Sequence, residues 1–273
     1  MRCDVKELFF PSLFLILIVF LNIECGNKNG EPGKKDTQVQ NDSANIKSMM
    51  VSYKSGNDTV HAYLAVPKGE GPFPGLIVIH EWWGLTEWIK NNADSFADNG
   101  YAALAIDLYR GKSASSPQEA AELSGNVPVE RAITDLKAAY NYLQNIPGID
   151  KEKIGSIGWC MGGGYSLQAA LNNPALDACI IAYGRLTNDV KEVKKINCPV
   201  LGIFAENDPN ITPAKVHDFE NLLNDEGKEN HIIIYPNVSH AFMNPGNTRG
   251  YSDSTANEAW NEIYSFLDEN LSE

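Results

Sequence analysis

Apolar and polar positions along this chain fall into three regimes. From Leu8 to Ile23 the side chains are almost all apolar, whereas 26–45 is rich in Gly, Asn, Lys, Asp, Ser and Gln with little to bury. Beyond residue 58, short β-branched runs alternate with amphipathic stretches. The runs at 59–66, 76–80, 101–106, 153–159, 178–183, 200–205 and 232–235 predict strands. Helices are predicted at 86–99, 129–144, 162–171, 213–224 and 255–270. In the second of these, Ile133, Leu136, Ala139, Tyr140 and Leu143 recur at three- and four-residue steps. Strands joined through helices imply an α/β fold with a mostly parallel sheet covered on both faces. No repeat and no change of composition divides this part, so one domain is expected over 46–273.

The first regime is too short and too broken for a membrane span, because Pro11 interrupts it and a spanning helix needs about 20 apolar residues. Arg2 and Lys6 precede it, which fits a secretory signal over 1–24. Cys25, followed by Gly26, looks like the acylated residue of a bacterial lipoprotein, although Glu24 stands where a small residue is the rule. Acyl chains on Cys25 would hold the protein at a membrane surface, with 25–45 as a solvated tether and the bacterial cell envelope as its location. An uncleaved anchor, or an ordinary signal cut elsewhere, remains the alternative.

Charge narrows the partners. The net value is −13, and −12 once 1–24 are left out, so no nucleic-acid partner is expected. Of five cysteines, Cys179 and Cys198 lie in apolar runs and are expected in the core. No CxxC pair occurs, which gives no sign of a disulfide framework or a metal site.

Cys160 is different. It stands in Gly158-Trp159-Cys160-Met161-Gly162, between a predicted strand and a predicted helix. Glycines at such a turn allow close backbone packing around a strained central residue, and the helix N-terminus favours its thiolate. Asp208 follows one later strand and His240 the next, 48 and 32 residues further along. Nucleophile, acid and histidine in that order match the α/β-hydrolases. His240 would take the thiol proton while Asp208 fixes the ring, with Glu206 as a competing acid. Oxyanion donors in this fold are the N–H after the nucleophile, here Met161, and one from the loop after the first apolar strand, for which Trp82 is the candidate.

Five blocks together resemble the dienelactone hydrolase family: His80-Glu-Trp-Trp-Gly-Leu, Asp107-Leu-Tyr-Arg-Gly, Gly158-Trp-Cys-Met-Gly-Gly, Asn207-Asp208 with Ile211-Thr-Pro, and His240-Ala-Phe-Met-Asn-Pro. The resemblance implies an α/β-hydrolase that opens lactones or small esters through a thioester acyl-enzyme, without metal or cofactor. It implies that Glu81 contacts the resting thiol and helps to generate the thiolate, the bland alternative being a cap on the helix near Thr86. It also implies recognition of a substrate carboxylate by two arginines. Arg110 lies near one of those positions, and Asn244 occupies the other. Trp83, Tyr109, Arg110 and Arg185 are the candidates for substrate contact, Arg185 as a replacement cation. A non-catalytic envelope binding lipoprotein, or a thiol redox protein, are the competing readings.

Overall fold

The computed structural model describes residues 40–42 and 45–272. The expected signal at 1–24 and the acylation candidate Cys25 lie outside the described residues. Within those residues, nine strands form one sheet: β1 (Gln40–Asp42), β2 (Ile46–Ser55), β3 (Asp58–Pro67), β4 (Phe73–Ile79), β5 (Ala102–Ile106), β6 (Ile149–Trp159), β7 (Ala178–Ala182), β8 (Val200–Ala205) and β9 (Asn230–Tyr235). Their spatial order is β1-β2-β3-β5-β4-β6-β7-β8-β9. The first three pair antiparallel, β3 also pairs antiparallel with β5, and all pairings from β5 to β9 are parallel. This is the mostly parallel sheet that the alternation of elements predicts, and it is the α/β-hydrolase-like arrangement that the family resemblance implies.

Two apolar layers fill the space on either side of the sheet. One takes Ile89, Ala93 and Phe96 of α1 (Glu87–Asp98) and Ile263 and Leu267 of α7 (Asp253–Leu267). The other takes Leu136 and Leu143 of α3 (Val129–Gln144), Leu167 and Ala170 of α4 (Met161–Asn172), and Val216, Phe219 and Leu223 of α6 (Pro213–Asp225). Helix α3 has the bounds its periodicity predicts, and the short α5 (Val190–Val193) lies between β7 and β8. The central strands β5 and β7 are buried along their whole length, so their near-continuous apolar runs reflect coverage on both faces.

Three departures from the sequence expectation have local causes. The tether expected to extend to residue 45 ends earlier, because Gln40–Asp42 pair with Lys47, Ser48 and Met49 of β2. An edge strand of this kind is held by backbone bonds and needs no apolar side chain, so it leaves no hydrophobic signature. Strand β2 carries buried Ser48 and Ser55, which blur its alternation. Between 113 and 128 lies α2 (Pro117–Gly125), opened by Ser116, whose side chain accepts the Glu119 N–H, while Glu119 accepts the Ser115 N–H at 2.8 Å.

The parallel part of the sheet starts at β4, passes to β5 on one side and then crosses to β6 on the other. The reversal opens a crevice beyond the carboxyl ends of β4 and β6, where ligands collect in open α/β sheets.

Candidate active site

Cys160 stands at the end of β6 and caps α4, with φ 54° and ψ −116°. A non-glycine residue in this region is strained and persists only where its surroundings enforce it. Its N–H is bonded to Ala182 O at 3.0 Å. A Cβ on Gly158 would lie 2.1 Å from Gly162 O, and one on Gly162 would lie 2.2 Å from Ile79 O. The expected role of these glycines thus has a geometric basis: β6 and α4 meet too closely for any side chain there.

His240 follows β9, and its Nδ1 lies 2.5 Å from Asp208 Oδ2. The other oxygen of Asp208 accepts the N–H groups of Asn210 and Ile211 at 2.8 and 3.0 Å. Burial would raise the Asp208 carboxyl, but these bonds hold it below its ordinary value. Glu206, the competing acid, instead accepts the Asn237 N–H at 2.9 Å. Burial disfavours charge on His240, yet its hydrogen bonds to Asp208 and Cys160 outweigh that effect and push its pKa up to about 10. The ring packs edge-on against Tyr183, with centroids 5.2 Å apart.

All of this opens into a cleft of about 1160 Å³, whose lining includes Trp82, Trp83, Cys160, Met161, Tyr183 and His240. Residues 81–84 form a turn closed by Gly84 N–H to Glu81 O, and Tyr109 Oη donates to Trp82 O at 3.1 Å. His80, fully buried, links β4 to the loop after β5: Nε2 accepts the Leu108 N–H at 3.2 Å, so Nδ1 carries the proton that meets Glu81 O at 2.5 Å. Sequence reasoning gave His80 no role, although it begins the block that contains Glu81. It also missed Tyr183, and Arg249, which lines the cleft beside Arg185.

Glu81 is buried and does not cap α1. Its Oε2 accepts from Asn244 Nδ2 at 2.5 Å. Burial pushes its pKa up to about 7, against the downward pull of that bond and of His240.

Two candidates for substrate contact are corrected. Arg110 does not reach the cleft: Nε lies 2.8 Å from Asp58 Oδ2 and Nη1 2.9 Å from the wholly buried Asp135 Oδ2. Its φ of 58° turns it out of the loop toward those carboxylates. Tyr109 is also buried, beneath the Trp82 turn rather than in the cleft wall. Trp83 and Arg185 do line the cleft. Cys179 and Cys198 lie in the core, and burial pushes the Cys179 thiol up to about 12. Among the described residues no group of acidic, histidine or cysteine side chains has the arrangement of a metal site.

A profile of the dienelactone hydrolase family matches residues 60–271. The chain belongs to that family. It is 33% identical over 229 residues to protein usf of Aquifex pyrophilus, covering 81% of this chain and 98% of that one. A Saccharolobus solfataricus protein provisionally named carboxymethylenebutenolidase is 32% identical, with coverage of 80% and 96%. A crystal structure from Klebsiella pneumoniae, provisionally named a dienelactone hydrolase, superposes with a TM-score of 0.76 at 26% identity, covering 81% of this chain and 98% of that one. Family membership makes this protein a hydrolase, as the five sequence blocks imply.

Proposed function

We propose that this hydrolase cleaves neutral lactones or small carboxylic esters through a thioester on Cys160. The observation that carries the reading is Cys160 itself, held in a strained conformation at a strand-to-helix junction that opens into the cleft also lined by His240, which Asp208 anchors. The Cys160 sulfur attacks the carbonyl carbon as its proton passes to His240. As the tetrahedral intermediate collapses, imidazolium protonates the departing alkoxide. His240 then removes a proton from water, whose oxygen displaces the thiolate and releases the acid. Asp208 keeps Nδ1 directed at itself, so that Nε2 serves both transfers. In this reading the N–H groups of Met161, in the first turn of α4, and of Trp82, in the turn after β4, receive the developing oxyanion.

Neutral substrates follow from the cations. Arg110 is occupied by two carboxylates, Asn244 carries no charge, and the protein has a net charge of −13. Arg185 and Arg249 remain at the exposed rim, where an ion pair is screened. A panel of aryl esters and lactones, assayed against the protein and Cys160→Ala, tests the reading. Turnover with an acyl adduct on Cys160 supports it, and equal turnover by the variant overturns it.

The sequence of the first 25 residues further supports export to the bacterial envelope with an acyl anchor on Cys25. Radiolabelled fatty acid should enter the full chain and be lost in Cys25→Ser; labelling that survives the substitution overturns the anchor.

A further inference from the structure

Beside the catalytic cleft lies a second cavity of about 480 Å³, bounded by the start of α3, the first two turns of α4 and the chain that leads from β7 into α5. Met161 and Arg185 line both spaces, so the two meet at these side chains. Met161 forms the sill between them: its thioether is unbranched and pliable, and the Tyr109 hydroxyl donates to Sδ at 3.2 Å. Much of the second lining is apolar. Tyr165 and Leu186 pack against the core, and Val129, which opens α3, is 52% exposed. The polar groups beside them are bonded within the protein. Thr187 donates to the Glu192 carboxylate, and Gln168 Oε1 accepts from Asn172 Nδ2 at 3.2 Å. A cavity with committed polar groups and exposed apolar ones gains most from covering apolar surface.

The position of His240 decides which part of an ester can reach it. His240 lines the cleft but not the second cavity. The departing oxygen has to come within hydrogen-bond reach of that histidine, which keeps the alcohol portion in the cleft. The acyl chain, on the other side of the carbonyl, is then the substituent free to cross Met161. We propose that the second cavity is an acyl subsite, which takes a neutral alkyl or aryl arm of medium length while the ester carbonyl stays at Cys160. This rests on the hydrolase reading and names the substrate class within it. An acetyl group or a small lactone leaves the second cavity empty, whereas a longer acyl chain buries apolar surface on both sides of the sill.

The experiment uses the full chain and a series of p-nitrophenyl esters from acetate to octanoate, with kcat/KM read for each. Acetate is too short to cross Met161 and serves as the internal reference. Each added methylene that enters the second cavity should raise kcat/KM about fourfold, the ratio that corresponds to about 0.8 kcal/mol of apolar burial. Position 129 tolerates replacement, since it is exposed and an acidic side chain in the first turn of a helix is favourable. Val129→Asp places a charge in the lining, and Val129→Trp fills the space. In both, the octanoate-to-acetate ratio should fall about tenfold or more, chiefly through KM. Methyl octanoate and octyl acetate then report which side of the carbonyl the chain occupies, and methyl octanoate should be the better substrate. An octanoate rate no higher than that of acetate, a ratio unchanged in both variants, or a preference for octyl acetate overturns the acyl subsite and leaves the hydrolase reading standing. Turnover of no ester in the series rejects both.

Discussion

At the scale of single residues, the site's chemistry depends on which acid holds the histidine. Asp208 meets His240 at 2.5 Å, whereas Glu206 holds a backbone N–H two residues earlier in the chain. Asp208→Asn should therefore cut kcat by a factor on the order of 10³ or more, and Glu206→Gln should change it less than about threefold, both read with an aryl ester. Cys160→Ala and His240→Ala should each remove activity by a similarly large factor, and the double variant should be scarcely worse, because in the proposed mechanism the two move one proton between them. Multiplicative losses would mean that they act independently. These residues were legible in the chain because a nucleophile turn and two strand ends have fixed sequence settings. The partner of Glu81 was not: a hydrogen bond between residues 81 and 244 leaves no trace in local pattern, and Asn244 stood out only as the absence of an arginine.

Among the elements, the junction of β6 and α4 is the least tolerant of change. Gly158→Ala would drive a methyl group into Gly162 O, and we expect a cost on the order of 3 kcal/mol or failure to accumulate as soluble protein, measured by urea unfolding. Gly125, at the end of α2, offers the contrast, since a methyl group added there would meet no atom within 4 Å. Gly125→Ala should stabilise by about 0.5 kcal/mol in the same measurement. Helix α2 also shows how much of an element can be present in sequence yet unused. Ser116-Pro117 with Glu119 is the signature of a helix start, Ser116 accepting the Glu119 N–H and the Glu119 carboxylate accepting from Ser115, but only Ala120 of this helix is buried. Weak amphipathicity hid it from a search for apolar periodicity. By contrast α3, with six buried positions along one face, was legible end to end.

For the whole molecule, proton binding links the active site to stability. His240 has a folded pKa above its ordinary 6.5, so its contribution is complete below that value and is lost as pH rises toward about 10. Glu81, raised from 4.5 to about 7, acts in the same direction over its own lower window. The urea midpoint should thus decline from pH 7 to 10, and His240→Gln should flatten that decline; an unchanged slope would mean that the ring is not held protonated. Away from this chemistry, Arg110 fastens three separate stretches of chain, since Asp58 begins β3, Asp135 belongs to α3, and Arg110 itself follows β5. A guanidinium has a fixed set of donors, and resident carboxylates have already claimed this one. Redesigning the cleft for an acidic substrate by installing a cation at 244 would therefore supply half of a pair. The other half is locked into the frame, and freeing it would loosen the hairpin and the helix it now ties together.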